Sequence, residues 1–235
     1  TPPDGPEPLA GWIGDNLDPA TVLVVDELTR AQLVRDGVDQ GRLRPAGGER
    51  PPEALVVTTT RPTRGHPPAP PPGTSVPLAT VDRGPGDARA EVRRPVTDLA
   101  ATDTARTLDR DDRRRVGGLL AGNPSLTLSD AARAALESGA VDSRLITVLA
   151  GFSSAHRLGI SEFVTVPAEP SDAPLRGVLI TAVDGRPVTE PGAADLARQW
   201  LGAQLPPYRP LSVRRAGSAL LVRYSLPGPL GLLGR

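Results

Sequence analysis

Cysteine, methionine and lysine are all missing from the 235 residues, so each of the 27 positive charges is an arginine. Without cysteine the chain can build no disulfide scaffold, thiolate metal site or cysteine nucleophile. Without lysine it has no Walker-type phosphate ligand. Histidine occurs only at His66 and His156, which excludes a multi-histidine metal centre within one chain. Aromatics are scarce and scattered, at Trp12, Phe152, Phe163, Trp200, Tyr208 and Tyr224, so no stacking platform for sugars or single strands is visible. An excess of one charge sign is lacking too, because 27 acids balance the arginines. Nucleic acid and anionic membranes attract basic surfaces, and the expected partners therefore include no nucleic acid. No run reaches the roughly 18 apolar residues of a spanning helix. The start, Thr1-Pro-Pro-Asp-Gly-Pro6, has neither the basic end nor the apolar core of a signal peptide.

Proline and glycine are abundant, at 28 and 25 residues, and they punctuate the chain. Residues 1–8 read as a poorly ordered leader. Residues 61–75 are proline-rich with no bulky apolar side chain, which predicts a polyproline-like mobile loop carrying the PxxP segment Pro67-Pro-Ala-Pro70. Between these, Trp12 to Leu17 forms a short amphipathic turn or helix. Thr21–Val25 and Ala54–Thr58 are apolar, β-branched runs that predict strands buried on both faces. Asp26 can cap a helix with Leu28, Ala31, Leu33 and Val34 turned inward and Gly37 at its end. Weaker strands are expected at 76–80 and 89–93.

Composition shifts after Pro95. Residues 103–120 predict an exposed helix with a narrow stripe of Ala105, Leu108, Val116, Leu119 and Leu120, its mixed charges forming a solvated face. Ser129 caps a helix with Ala131, Ala132, Ala135 and Leu136 inward. Asp142 caps another, with Leu145, Val148, Leu149, Phe152 and His156 on its stripe. Strands are expected at 162–166 and 177–183, the latter central in a sheet, with a tight turn at Asp184-Gly185. Pro191 opens a helix presenting Ala193, Ala194, Ala197, Trp200 and Leu201. An antiparallel hairpin over 211–224 follows, turning at Ala216-Gly217. The expected fold class is α/β plus α+β. A small, partly parallel three-layer part over 1–95 precedes a helical segment and a mixed sheet with a C-terminal hairpin over 96–235.

Familiar reactive arrangements are incomplete. No Gly-x-Ser-x-Gly elbow exists, and Ser154 and His156, two residues apart on a helix, point about 200° from each other. Gly84-Pro-Gly86 opens like a dinucleotide fingerprint, but Arg89 stands at the third glycine position and a strand follows it. Carboxylates remain as candidates for ligand binding. Asp26 and Glu27 lie at the carboxyl end of the first buried strand, where open α/β sheets place ligands, and Asp184 lies in the turn after the most buried strand. Each has a structural alternative, as cap, helix-dipole complement or turn former. His156 is expected as a semi-buried, hydrogen-bonded histidine, and His66 has no second donor nearby. No cofactor and no metal ligand is expected.

Two stretches carry resemblances. Leu120-Ala-Gly-Asn-Pro-Ser-Leu-Thr-Leu-Ser129, Ala135 to Leu145 and Ala155-His156-Arg157-Leu-Gly-Ile-Ser161 resemble a helical region of actinobacterial proteins. In some of these the region precedes a domain similar to zinc D-Ala-D-Ala carboxypeptidases, and Ile180-Thr-Ala-Val-Asp184-Gly-Arg-Pro-Val188 resembles the segment after that family's first metal ligands. Laid on by this anchor, the family's ligand pair falls near Asp172 and Leu179. Leucine cannot bind zinc, so the resemblance implies a degenerate region without the catalytic metal. Trp12 to Leu17, Val22 to Glu27 and Leu33 to Gly37 are similar to extracytoplasmic segments of actinobacterial multi-spanning membrane glycosyltransferase-like proteins. Ser75 to Thr80 and Asp87 to Arg93 fit the same pattern.

Together these readings predict a non-catalytic, extracytoplasmic binding or interaction module of an actinobacterial cell-envelope protein. It would be membrane-anchored through a segment outside the chain, or secreted, with a protein or cell-wall component as partner. The alternatives are a carboxylate-dependent hydrolase of a cell-wall component, with Asp26, Glu27 or Asp184 as general base, and a small-molecule sensor or solute-binding domain. The four leucines of Leu226-Pro-Gly-Pro-Leu-Gly-Leu-Leu233 are expected to dock on the body or in a partner's groove, the body being preferred.

Overall fold

A computed structural model describes residues 9–47, 51, 53–60, 75–82, 89–96, 98–165 and 169–233. The chain divides into two units, residues 1–102 with 168–171, and residues 103–167 with 172–235. The expected leader, the proline-rich loop with His66 and PxxP, and the glycines of the fingerprint-like motif lie outside the described residues.

The first unit contains α1 (Leu9–Asn16), β1 (Leu23–Val25), α2 (Glu27–Arg35), β2 (Leu43–Pro45), β3 (Leu55–Thr60), β4 (Ser75–Asp82) and β5 (Arg89–Pro95). Its five-stranded sheet runs in the order β2-β1-β3-β5-β4. β1 pairs in parallel with both β2 and β3, while β5 pairs antiparallel with β3 and β4. As expected for a strand apolar on both faces, all three residues of β1 are buried. Val24 joins Ala54 and Val56 in one small cluster, and alternation along the strands puts Leu23, Val25, Leu55 and Val57 on the opposite face. Trp12, Ile13 and Leu17 are buried as well. An aromatic side chain of about 200 Å² removed from water contributes on the order of 5 kcal/mol, which makes Trp12 the largest single apolar contribution in this unit.

α2 departs from the expected stripe. Thr29 and Leu33 face inward, whereas Leu28 is 84 % exposed and Ala31 and Val34 are also exposed. The cap sets the helix phase. Asp26 accepts the Thr29 amide at 2.9 Å and the Thr29 hydroxyl at 2.7 Å, and this turns position 29 inward. Residues at i and i+4 share a face, so Leu33 follows Thr29, and Leu28 is rotated away.

The second unit contains most of α3 (Leu99–Ala121), then β6 (Leu126–Leu128), α4 (Asp130–Glu137), α5 (Ser143–Ala155), β7 (Leu158–Val164), β8 (Gly177–Val183), β9 (Arg186–Pro187), α6 (Pro191–Gly202), β10 (Ser212–Ala216) and β11 (Ala219–Arg223). Its sheet has the order β10-β11-β8-β7-β6, with β9 pairing β8. The β6–β7 pair is parallel and the others are antiparallel. β8 is central, as its apolar faces predict. The core gathers Leu145, Ile146, Leu149 and Phe152 of α5 with Ile160, Val178, Ile180, Leu220 and Val222 of the sheet. β7 begins four residues earlier than expected because Leu158, Gly159 and Ile160 pair with β6, a strand too short to announce itself in the sequence.

The buried face of α3 differs from the expected stripe. Leu119 is 72 % exposed and Leu108 is also exposed, while Asp109, Arg113, Gly117, Leu120 and Ala121 face inward. Asp109, Arg113 and Gly117 follow the i, i+4 rule, so one turn-by-turn row of the helix is buried. A Cβ on Gly117 would overlap the backbone carbonyl oxygen of Leu136, and its absence lets α3 approach the end of α4 closely. The solvated-face expectation holds for the exposed pairs Arg114–Asp111 at 3.0 Å and Arg115–Asp112 at 3.2 Å. It fails for Asp109 and Arg113, which form a buried ion pair at 3.0 Å.

Candidate functional site

Asp26 and Glu27 lie in the first unit, immediately after β1. Asp26 caps α2, and its Oδ2 also accepts the Thr59 hydroxyl of β3 at 3.3 Å. Partial burial pushes its pKa up, but the Thr29 hydroxyl, the Thr29 amide and the Thr59 hydroxyl outweigh that and hold it below the ordinary carboxylate value. Both oxygens are thus committed to local donors. Glu27 is exposed and pairs with Arg30 at 3.2 Å, one turn along the same helix. The position is the carboxyl end of parallel strands, as expected, and the geometry there is that of a helix cap.

Asp184 lies in the second unit and has a positive φ of 53° in the turn between β8 and β9, followed by Gly185, the pattern of a two-residue hairpin turn. Its Oδ1 accepts the Arg157 amide at 2.9 Å, and its Oδ2 lies 2.8 Å from His156 Nδ1. The Arg157 amide and then His156 hold its carboxyl below the usual range. His156 is half-buried as expected, although it is the residue that ends α5 rather than a member of its stripe. Its ring stands edge-on to Phe152, which in turn stacks on Trp200 at 4.4 Å between centroids. Phe152 and His156, one turn apart, and the distant Trp200 therefore form one cluster, and it is the addition of Trp200 that one-dimensional spacing does not show. Asp172 lies on the surface and Leu179 within β8. Among the described residues no group of three His, Asp or Glu side chains is placed to hold a metal ion.

The most developed polar construction in the second unit involves residues the sequence reading used only as caps and charges. Asp142, 1 % exposed, caps α5 through the Arg144 amide at 2.9 Å and accepts the Arg144 Nε–H at 3.0 Å. Asp109 pairs with Arg113 and accepts the Ser143 hydroxyl at 3.3 Å. Burial lowers the Arg113 pKa, and Asp109 and Asp142 oppose that effect. The C-terminal segment is laid across this quartet. Arg144 donates to the carbonyl oxygens of Ser225, at 2.8 Å, and Leu226. The Gly228 amide donates to Asp142 at 2.9 Å and the Gly231 amide to Asp109 at 3.0 Å. Leu233 packs against the core. The tail thus docks on the body, the preferred expectation. Beneath it, Arg144 lies over the ring of Tyr224 at 4.9 Å, and the Tyr224 hydroxyl donates to the Tyr208 carbonyl at 2.7 Å. Burial raises the pKa of this phenol, although Arg144 opposes the shift.

The signals that pointed to the quartet were the Asp109-x₃-Arg113-x₃-Gly117 spacing, the cap residue Asp142 with Arg144 two positions on, and the glycines at 228 and 231. None of them says that these features meet. Compared with described protein families, with curated proteins and with solved structures, the chain matches none.

Proposed function

We propose that this chain is a non-catalytic, extracytoplasmic interaction module of an actinobacterial cell-envelope protein, binding a protein or cell-wall component. One observation carries the reading. Three buried charged side chains, Asp109, Asp142 and Arg144, hold a peptide backbone, and buried Arg113 pairs with Asp109. The carboxylates singled out for chemistry support it, since Asp26 and Glu27 are engaged by neighbours in their own helix and Asp184 by the Arg157 amide and His156 at the end of α5. The resemblances to extracytoplasmic segments supply the location. No described helix is long and apolar enough to cross a membrane, so tethering would come from sequence outside the chain.

A hydrolase remains the second reading because of one pairing. Asp184 fixes His156 through Nδ1, the arrangement that orients a histidine for proton transfer at its other nitrogen. A single assay separates the two readings. The chain is mixed with insoluble peptidoglycan and with envelope membranes, and both retention and the release of soluble fragments are measured. Saturable retention without release is expected. Release that disappears in Asp184→Asn or His156→Ala would replace binding by hydrolysis, and retention on neither fraction would overturn the module.

A further inference from the structure

We propose that the strap formed by residues 225–233 is a displaceable occupant, and that the groove beneath it binds a glycine-containing peptide of a partner protein that follows the same turning path. This deepens the interaction reading and rests on it. The strap is gripped by its main chain: two carbonyls accept from Arg144, and two amides donate to Asp142 and Asp109. None of these contacts involves a strap side chain, so any peptide able to follow the same path satisfies them. The groove is also held open by contacts that do not depend on the strap. Asp142 is fixed by the α5 cap and the Arg144 guanidinium, and Asp109 by Arg113 and Ser143. When the strap leaves, buried donors and acceptors remain aimed at a carbonyl, carbonyl, amide, amide pattern, and unfilled buried polar groups favour a replacement.

The hold on the strap's side chains is slight. Pro229 is exposed, Leu230 is 45 % exposed, Leu226 and Leu232 are only half-buried, and Leu233, half-buried too, is the one strap leucine packed against the core cluster. No strand pairing secures the segment, since β11 ends at Arg223. A competitor that adds apolar anchoring to the same backbone contacts can therefore displace it. Any second molecule bears the entropic cost of association; a second copy's strap offers only the contacts the tethered strap already makes, whereas a different protein can add apolar anchoring, which favours it as the occupant. Glycine sets the selectivity. A Cβ at position 228 would lie 3.1 Å from Arg144 Nε and 3.2 Å from Asp142 Oδ1, and Gly231 has a φ of +75°. The partner peptide is therefore expected to favour glycine at the first of these positions, where a side chain would press on Arg144 and Asp142, and a residue tolerant of positive φ at the second.

The test uses a fluorescent synthetic peptide of residues 225–235 and the full chain. Gly228→Val presses a branched side chain against Arg144 Nε and Asp142 Oδ1 and is expected to weaken the chain's own strap while leaving the groove residues unchanged. Anisotropy should show saturable binding of the peptide to this variant, about tenfold or more tighter than to the unaltered chain, where the tethered strap competes at high effective concentration. A peptide carrying the same glycine-to-valine change should bind about tenfold more weakly, since its Cβ meets the same clash. A cooperatively melting variant that binds no better than the unaltered chain, or indifference to the glycine, overturns the proposal. An unaltered chain that is dimeric and dissociates on adding peptide assigns the groove to a second copy and overturns the partner assignment. Hydrogen exchange on the unaltered chain decides the matter if Gly228→Val does not fold. The Gly228 and Gly231 amides should exchange about tenfold or more faster than those of Val178 and Val222, because the strap opens locally. Equal protection overturns displaceability. Peptidoglycan hydrolysis would remove the interaction reading without touching the anisotropy result, whereas failed peptide binding with retained envelope binding would remove the groove alone.

Discussion

Asp142 accepts the Arg144 amide, pairs with that arginine's guanidinium and holds the Gly228 amide, all from a nearly inaccessible position. Removing one member of a buried ion pair leaves the other charged and unpaired, at a cost of roughly 3–5 kcal/mol. Asp142→Ala should lower the unfolding free energy of the second unit by about that amount in urea titration, with Arg144→Ala close behind. Asp26 is a milder case, because its carboxylate is partly solvated. Asp26→Ala should cost about 1 kcal/mol at neutral pH. Its native pKa is depressed, so the contribution is complete above the ordinary carboxylate pKa of about 4 and is lost as pH falls through the lower native value. Denaturation of the parent and Asp26→Ala proteins should therefore differ at pH 7 and converge in strong acid. Asp26 was legible as a cap because its partner is three residues away. The role of Asp142 was half legible, since Arg144 is near in sequence and Gly228 is not.

Among the elements, α2 and α3 show how a helix can be foreseen while its buried face is mistaken. Both have more than one row of apolar residues, and the choice between rows depends on what the helix meets. In α2 the Asp26–Thr29 cap and Thr59 select the row through Thr29 and Leu33. In α3 the bare backbone at Gly117 allows close approach to Leu136, and this brings Asp109 and Arg113 inside with it. Two substitutions on α3 should then behave opposite to their hydrophobicity. Gly117→Ala, favourable by helix propensity alone, should destabilise by about 1–3 kcal/mol through overpacking. Leu119→Ser, which removes a leucine the stripe placed inside, should stay within about 0.5 kcal/mol of the parent. Thermal denaturation of the two variants measures both. β6 escaped notice because three residues between Asn-Pro and a helix cap carry too little periodicity to read.

Over the molecule, acids and arginines are equal in number and also interleaved. On α3 the exposed arginines 106, 114 and 115 each sit beside an aspartate three residues earlier. Such intermixing leaves little long-range potential, because opposite charges closer than the screening length of about 8 Å cancel. The chain should elute from immobilised heparin at or below about 0.15 M salt, and retention well beyond that would show a basic surface. The fold class, mixed α/β with both parallel and antiparallel pairing, follows from features visible along the chain: apolar β-branched runs, cap residues and prolines that separate them.

Those features act over a few residues, through side-chain hydrogen bonds to nearby amides, restricted φ angles and local burial, and so strands, helices and turns could be placed from composition and order. The stacking of Phe152 on Trp200, the hydrogen bond of Ser143 to Asp109 and the seating of the strap on Asp142 join residues tens of positions apart. Only the folded chain brings them together, because a buried charge or a close glycine is defined by its neighbours in space, and no spacing along the chain specifies those neighbours.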